Sequence, residues 1–270
     1  MTNIKHPLVS VIIPTYNMGN TIGKSIESVN SQTYKNIELI IIDDGSTDNT
    51  YSQIMNIRQK NIHDDIKYYA QTNKGRSNAI NKGLKISRGE YVALLDADDT
   101  LPEISIESRL NYLIANPNKK ACFGVTYYMN NANKVYNLRW LREDVNAYSI
   151  KEQILNHPKI PFHAMSLMYD KSVFDYIGGF DESLKRANDI DMILKLISRY
   201  DIGKIDERVY DYVTTTHSIQ TRLKNRITSA KEMNKIIKRY ASADERNKLI
   251  MQRFFIDASK AVFEIFSSNK

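Results

Sequence analysis

Short apolar runs separated by polar clusters recur through the first hundred residues. Val9–Ile13, Glu38–Ile42, Ile66–Ala70 and Glu90–Leu95 have the length and apolar density of strands. Between them, Asn20–Gln32, Asp48–Arg58 and Ser77–Ser87 read as helices, the first with Ile22, Ile26 and Val29 on one face. Near-continuous apolar strands are those covered on both sides, so the alternation predicts an α/β fold with a mostly parallel central sheet flanked by helices. Pro102–Ala115 predicts another helix, and Ala121–Met129 and Tyr136–Trp140 predict further strands, with antiparallel pairing one option among several. The turn Gly178-Gly179-Phe180-Asp181 precedes a helix over Asn188–Arg199 with Ile190, Ile193, Leu194 and Ile197 on its apolar face. From Gln220 onward helical spacing dominates, broken near Ala241–Asp244.

A chain of 270 residues, 42% of them hydrophobic, can bury one sizeable core. The longest apolar runs are strand-sized, far below the roughly 20 residues that span a bilayer, and Met1–Pro7 does not lead into a secretory segment. One cysteine, Cys122, excludes an internal disulfide and fits a cytoplasmic protein. The net charge of +7 is localised: residues 1–218 hold 26 basic and 26 acidic side chains, and residues 219–270 hold 12 and 5. This divides the chain into a nearly neutral body, 1–218, and a basic helical extension, 219–270.

Polar clusters sit where the strands end: Pro14-Thr15-Tyr16-Asn17, Asp43-Asp44-Gly45-Ser46 and Asp96-Ala97-Asp98-Asp99. Open parallel sheets bind ligands beyond the carboxyl ends of their strands, so three such exits can share one crevice. Gly45 and Ser46 are explained by a turn and a helix cap, whereas the paired carboxylates Asp43-Asp44 also suit hydrogen bonds from a base or a ribose. Asn73-Lys74-Gly75-Arg76 brings two cations to a helix start, which suits a diphosphate or an ordinary solvated turn. In the Asp96 cluster, Asp98 or Asp99 can cap the next helix. Alternatively, Asp96 and Asp98 address a ribose hydroxyl and a divalent cation bound to phosphate. Asp189 and Asp191 suit the start of a helix whose other end carries Lys195 and Arg199.

The ordered elements Val9–Asn17, Ser31–Tyr34, Ile41–Asp48, Asn73–Gly75, Gly89–Asp99, Gly178–Glu182 and Asn188–Asp191 resemble the family 2 glycosyltransferases over roughly residues 8–218. The resemblance implies a GT-A fold and an inverting, metal-dependent transfer of a sugar from a UDP-sugar to a carbohydrate hydroxyl. It places Pro14, Thr15, Tyr16, Asp44, Asn73, Arg76, Asp96 and Ala97 around the nucleotide sugar. Asp98 becomes the metal contact, with His217 as a second, and Asp189 becomes the general base. Mn2+ is the preferred cation and Mg2+ the alternative. Asn188 departs from the pattern, because the family usually has Glu there. Trp140, between Arg139 and Arg142, and Asp191 are acceptor-side candidates.

The expected partners are a UDP-sugar and a glycan or glycoconjugate acceptor, lipid-linked or protein-linked. Nucleic acid is not expected, since the acidic strand exits would repel phosphate without a metal. The expected location is the cytoplasm, with a peripheral place at the inner face of the plasma membrane as an option. The basic extension packs on the body, contacts an anionic membrane or mediates oligomers. The competing readings are a non-catalytic sugar-recognition module, suggested by Asn188, and a nucleic-acid binder using the basic extension.

Overall fold

The computed structural model describes residues 6–60, 66–129, 135–139, 147–156, 162–213 and 219–251. Its amino-terminal half alternates β1 (Val9–Thr15), α1 (Ile22–Asn30), β2 (Ile37–Asp43), α2 (Thr50–Lys60), β3 (Ile66–Ala70), α3 (Arg76–Ile86), β4 (Tyr91–Leu94) and α4 (Ser105–Ala115). The second half contains β5 (Ala121–Met129), β6 (Val135–Arg139), α5 (Ala147–Asn156), β7 (Met168–Asp170), α6 (Val173–Ile177), α7 (Asn188–Ile197), β8 (Ile202–Val213) and α8 (Ile219–Tyr240). A 3-10 turn over Ala164–Ser166 precedes β7, and residues 243–251 are again helical.

The strands form one sheet in the order β3-β2-β1-β4-β7-β5-β6, with β8 paired to β5. β3, β2, β1 and β4 are mutually parallel, so their carboxyl ends share one edge. β7 is antiparallel to both β4 and β5 and joins that parallel unit to the remainder. β5 runs parallel to β8 and antiparallel to β6, which resolves the pairing left open by the sequence.

Every residue of β1 is buried, as expected for a strand covered on both faces. α3 lies close over β1 because Gly83 has no side chain there. A Cβ at that position would stand 2.5 Å from Cγ2 of Ile12. Cys122 is buried in the core and burial pushes its thiol up to about 12, which suits packing and not nucleophilic chemistry.

Glu38 secures the amino-terminal ends of three strands. Its buried carboxylate accepts from the Ser10 hydroxyl on β1, the Lys67 ammonium on β3, and the Arg88 and Gly89 backbone before β4. In α8, Met233 and Ile236 enter the main core, while Ile237 and, just past the helix end, Ala241 pack with Leu155 and Leu249. This part of the basic extension therefore lies on the body, and Lys231, Lys235 and Lys238 face solvent.

Candidate active site

The β1 and β2 exits are tied together. The Asp44 N–H donates to the Thr15 carbonyl at 2.8 Å, and Asn17 exchanges bonds with Ser46 and Thr47. Asn17 adopts φ 54°, a left-handed conformation that asparagine tolerates, and so turns the chain across the β2 exit. Pro14 and Thr15 are buried, Tyr16 is 45% exposed, and Thr15 Oγ1 has no hydrogen-bond partner among the described residues.

Asp43 serves the turn, accepting from the Ser46 N–H and the Tyr68 hydroxyl. Asp44 instead reaches the loop before α3. It accepts from the Lys74 and Gly75 N–H groups at 2.8 and 2.7 Å and from the Gln71 amide at 2.8 Å. Asp44 thereby sets the path of the loop that exposes Asn73 and delivers Arg76. Gly45 permits this arrangement, having φ +83° with the Asn73 nitrogen 3.1 Å from where a Cβ would stand.

Arg76, the first residue of α3, points both its Nε and a terminal nitrogen at one oxygen of Asp96, at 3.0 and 2.5 Å. Burial opposes the guanidinium charge, but Asp96 and the more distant Asp189 outweigh it and raise the Arg76 pKa. Met165 Sδ lies 3.0 Å from the same guanidinium.

In the β4 exit, Ala97 is buried and Asp98 is half-buried. Asp99 is wholly buried and turns toward β8, accepting from the Tyr210 hydroxyl and the Val213 N–H, both at 2.8 Å. Burial, with Asp96 and Asp98 adjacent, pushes the Asp99 carboxyl well above the usual range despite those two donors. Tyr210 also accepts from the Asp96 N–H at 3.2 Å, so β8 holds both ends of the acidic turn.

Asp189 starts α7. Its side chain accepts from the Ile190 N–H, and its own N–H donates to the Asn188 amide oxygen. Burial raises the Asp189 pKa and Asp96 adds to the rise, while the Ile190 N–H and Arg76 oppose it. A carboxylate with a raised pKa is a stronger base than an ordinary aspartate. Asn188 is buried and donates from its amide nitrogen to the Ser77 hydroxyl on α3 at 2.8 Å. It carries no charge beside Asp189, where glutamate would add one.

Of the residues singled out by sequence, Asp96, Arg76 and Asp189 form one electrostatic group, and Thr15 and Asp44 share the adjoining exits. Asp191 is elsewhere. It is fully buried against Lys195, Arg239 and Tyr240, so this carboxylate secures α8 and presents no open oxygen to an acceptor. Trp140 and His217 lie outside the described residues. Sequence reasoning missed Tyr210, Met165 and Glu232. The last accepts three backbone bonds immediately before Asn188.

A mostly parallel sheet with acidic strand exits and a cation at the start of α3 is the architecture of a GT-A fold. The chain belongs to glycosyl transferase family 2, whose family profile matches residues 10–178. An uncharacterized glycosyltransferase of Rickettsia typhi is 33% identical over 224 residues, covering 80% of this chain and 69% of its own length. The chain spans 59% and 32% of two further Rickettsia relatives.

Among solved structures, the 1–349 segment of S. aureus TarS with UDP-GlcNAc superposes with a TM-score of 0.67 at 18% identity, covering 96% of this chain and 73% of that one. The mannosyltransferase PcManGT of Pyrobaculum calidifontis, with GDP-Man and Mn2+, gives 0.66 at 18% identity, covering 98% and 76%. At these identities the likeness shows the fold.

Proposed function

We propose that the protein is an inverting, metal-dependent glycosyltransferase that moves a sugar from a UDP-sugar to a carbohydrate hydroxyl in glycan, polysaccharide or glycoconjugate synthesis. The observation that carries this reading is the position of Arg76, bonded to donor-side Asp96 and within electrostatic reach of acceptor-side Asp189. In the proposed step the acceptor hydroxyl forms a bond to the anomeric carbon as the bond to the diphosphate oxygen breaks. The hydroxyl proton passes to Asp189, and the nucleoside diphosphate leaves with the bonding pair. Thr15, Tyr16, Asn73 and the Asp44-held loop line the nucleotide side; Arg76 offers its guanidinium to the diphosphate, and Asp96 accepts a ribose hydroxyl.

No three His, Cys, Asp or Glu side chains gather as a self-sufficient ion site among the described residues. The carboxylate chemistry of Asp98, beside Asp96 and Asp99, fits a hard cation, which Asp98 would help to hold. Mn2+ is the preferred ion and Mg2+ the alternative, with Asp98 as first contact and His217 as second. When bound, it supplies charge stabilisation to the departing diphosphate. TarS with UDP-GlcNAc supports the choice of a UDP-sugar, and PcManGT with Mn2+ supports the choice of metal.

No helix among the described residues is long and apolar enough to cross a membrane. The reading places the reaction in the cytoplasm, where the exposed lysines of α8 offer a basic face to an anionic membrane carrying a lipid-linked acceptor.

The test is a screen of UDP- and GDP-sugars for donor hydrolysis with and without Mn2+, followed by an acceptor screen with the best donor. Asp189→Asn is expected to reduce transfer by about 100-fold or more while UDP still binds. Full transfer by that variant when chemistry limits the rate would remove Asp189 from the mechanism.

A further inference from the structure

The first turn of α7 meets two of its N–H groups with its own side chains, Asn188 and Asp189, but the backbone leading into it is held from elsewhere. Ala187 stands at the N-cap of α7 and offers no side-chain acceptor. The three backbone N–H groups that lead into the helix converge on one carboxylate from the extension. Glu232 accepts from Lys185 N–H at 2.9 Å, Arg186 N–H at 2.8 Å and Ala187 N–H at 3.0 Å. Glu232 is only 6% exposed, so each of these charge-assisted bonds is largely protected from water.

Seven residues later on α8, Arg239 reaches both Asp181, at 3.0 Å, and Asp191, at 2.5 Å. Tyr240 adds a bond to Asp191 at 2.9 Å. Asp189 therefore lies between two anchor points on the same helix, while Asn188 ties the segment to α3 through Ser77. Met233 and Ile236, between Glu232 and Arg239, are seated in the main core and keep that helix from sliding.

We infer that α8 is a positioning element of the transfer site and that Glu232 is its principal positioning residue, fixing the backbone from which Asp189 meets the acceptor hydroxyl. This rests on the reading of Asp189 as the base. The effect acts through geometry, since Glu232 holds the segment by its backbone. The family profile ends at residue 178, so both the base and the helix that holds it lie beyond the matched portion.

The experiment uses the full chain carrying Glu232→Ala or Glu232→Gln, with Asp189→Asn as reference. Amide hydrogen exchange in residues 185–190 should rise by about tenfold or more in Glu232→Ala, with exchange in β1, β2 and β4 unchanged. UDP binding measured by calorimetry should stay within about twofold, and KM for the donor and acceptor found in the screen should change little. By contrast, kcat should fall on the order of 10- to 100-fold, because displacing a catalytic group by about 1 Å costs that much. Glu232→Gln keeps one acceptor oxygen and should fall between wild type and alanine.

Unchanged exchange in the 185–190 segment would overturn the proposal, as would raised exchange there with kcat intact. Loss of UDP binding and of sheet protection in parallel with activity, in both variants, would make Glu232 a determinant of folding and equally overturn it. Full transfer by Asp189→Asn would remove the base and the positioning role together. Inactive Asp189→Asn beside fully active Glu232→Ala would remove the positioning role alone.

Discussion

Replacing Glu38 by glutamine should produce a loss of stability that depends on pH in a predictable way. Glu38 is 1% exposed, and burial alone would raise its pKa. The Lys67 ammonium, the Ser10 hydroxyl and the Arg88 backbone and guanidinium overcome that and hold the carboxyl at about 2 against an ordinary 4.5. At about 1.4 kcal/mol per unit of pKa, such a depression stabilises the folded chain by roughly 3 kcal/mol at neutral pH. Arg88 is 65% exposed and Lys67 25%, so solvent screening brings the expected value to about 2 kcal/mol.

Because the folded pKa is lowered, this contribution is fully present above 4.5 and is lost as pH falls from there through about 2. Urea unfolding of wild type and Glu38→Gln at a series of pH values from 7 to 3 isolates it, since other carboxylates cancel in the difference. The stability gap should be about 2 kcal/mol at pH 7 and should shrink by more than half by pH 3. A gap that stays constant over this range would refute the reasoning and reduce Glu38 to a packing residue. The consequence for function is indirect, since Glu38 sets the starts of the strands whose far ends carry the candidate site.

The raised pKa of Asp189 places the acid limb of the kcat profile above the range of an ordinary aspartate, with activity lost as pH falls through that limb; a pH–rate series on transfer measures it, and a limb in the ordinary range would contradict the assignment. Asn188→Asp would add a buried carboxyl directly before Asp189, and the same series should show the limb displaced further toward alkaline pH, whereas an unmoved limb would show that the two sites do not interact. Gly45→Ala forces a side chain into φ +83° beside the Asn73 backbone; strain of about 1–2 kcal/mol should loosen the Asp44-held loop and weaken UDP binding by roughly 5- to 30-fold in calorimetry, and unchanged affinity would detach that loop from the nucleotide.

β1, β2 and β4 were legible because each is an apolar run buried along nearly its whole length, and such runs have few alternative structures. β8 was not, although at twelve residues it exceeds any of them. Its charges break the apolar pattern, and two of them, Arg208 and Asp211, satisfy each other three residues apart along the strand. β7 is three residues long, too short for a period to appear, yet it joins the parallel unit to β5.

The acidic turn after β4 was legible as a polar strand exit, and in the structure Asp99 is the member of it that turns inward. Tyr210 could not be found as its support, because that bond crosses 111 positions and leaves no local trace. The proximity of Arg76 to Asp189 is hidden for the same reason.

The extension is the most instructive case, because its composition directs attention outward. Twelve basic against five acidic residues suggest a surface for phosphates or membranes, and the exposed lysines of α8 leave such a use open. Yet two of its most heavily bonded charges face inward: Glu232 onto the segment before Asp189, and Arg239 onto Asp181 and Asp191. A sign was present in the sequence. Glu232 directly precedes Met233 and stands four residues before Ile236, so it borders the stripe that must be buried if the helix packs at all. A lone carboxylate on the buried edge of a basic amphipathic helix needs donors, and the backbone N–H groups of an irregular segment such as the one leading into α7 supply them. Net charge describes what the extension offers to solvent; the exceptional acidic residue indicates what it does for the protein.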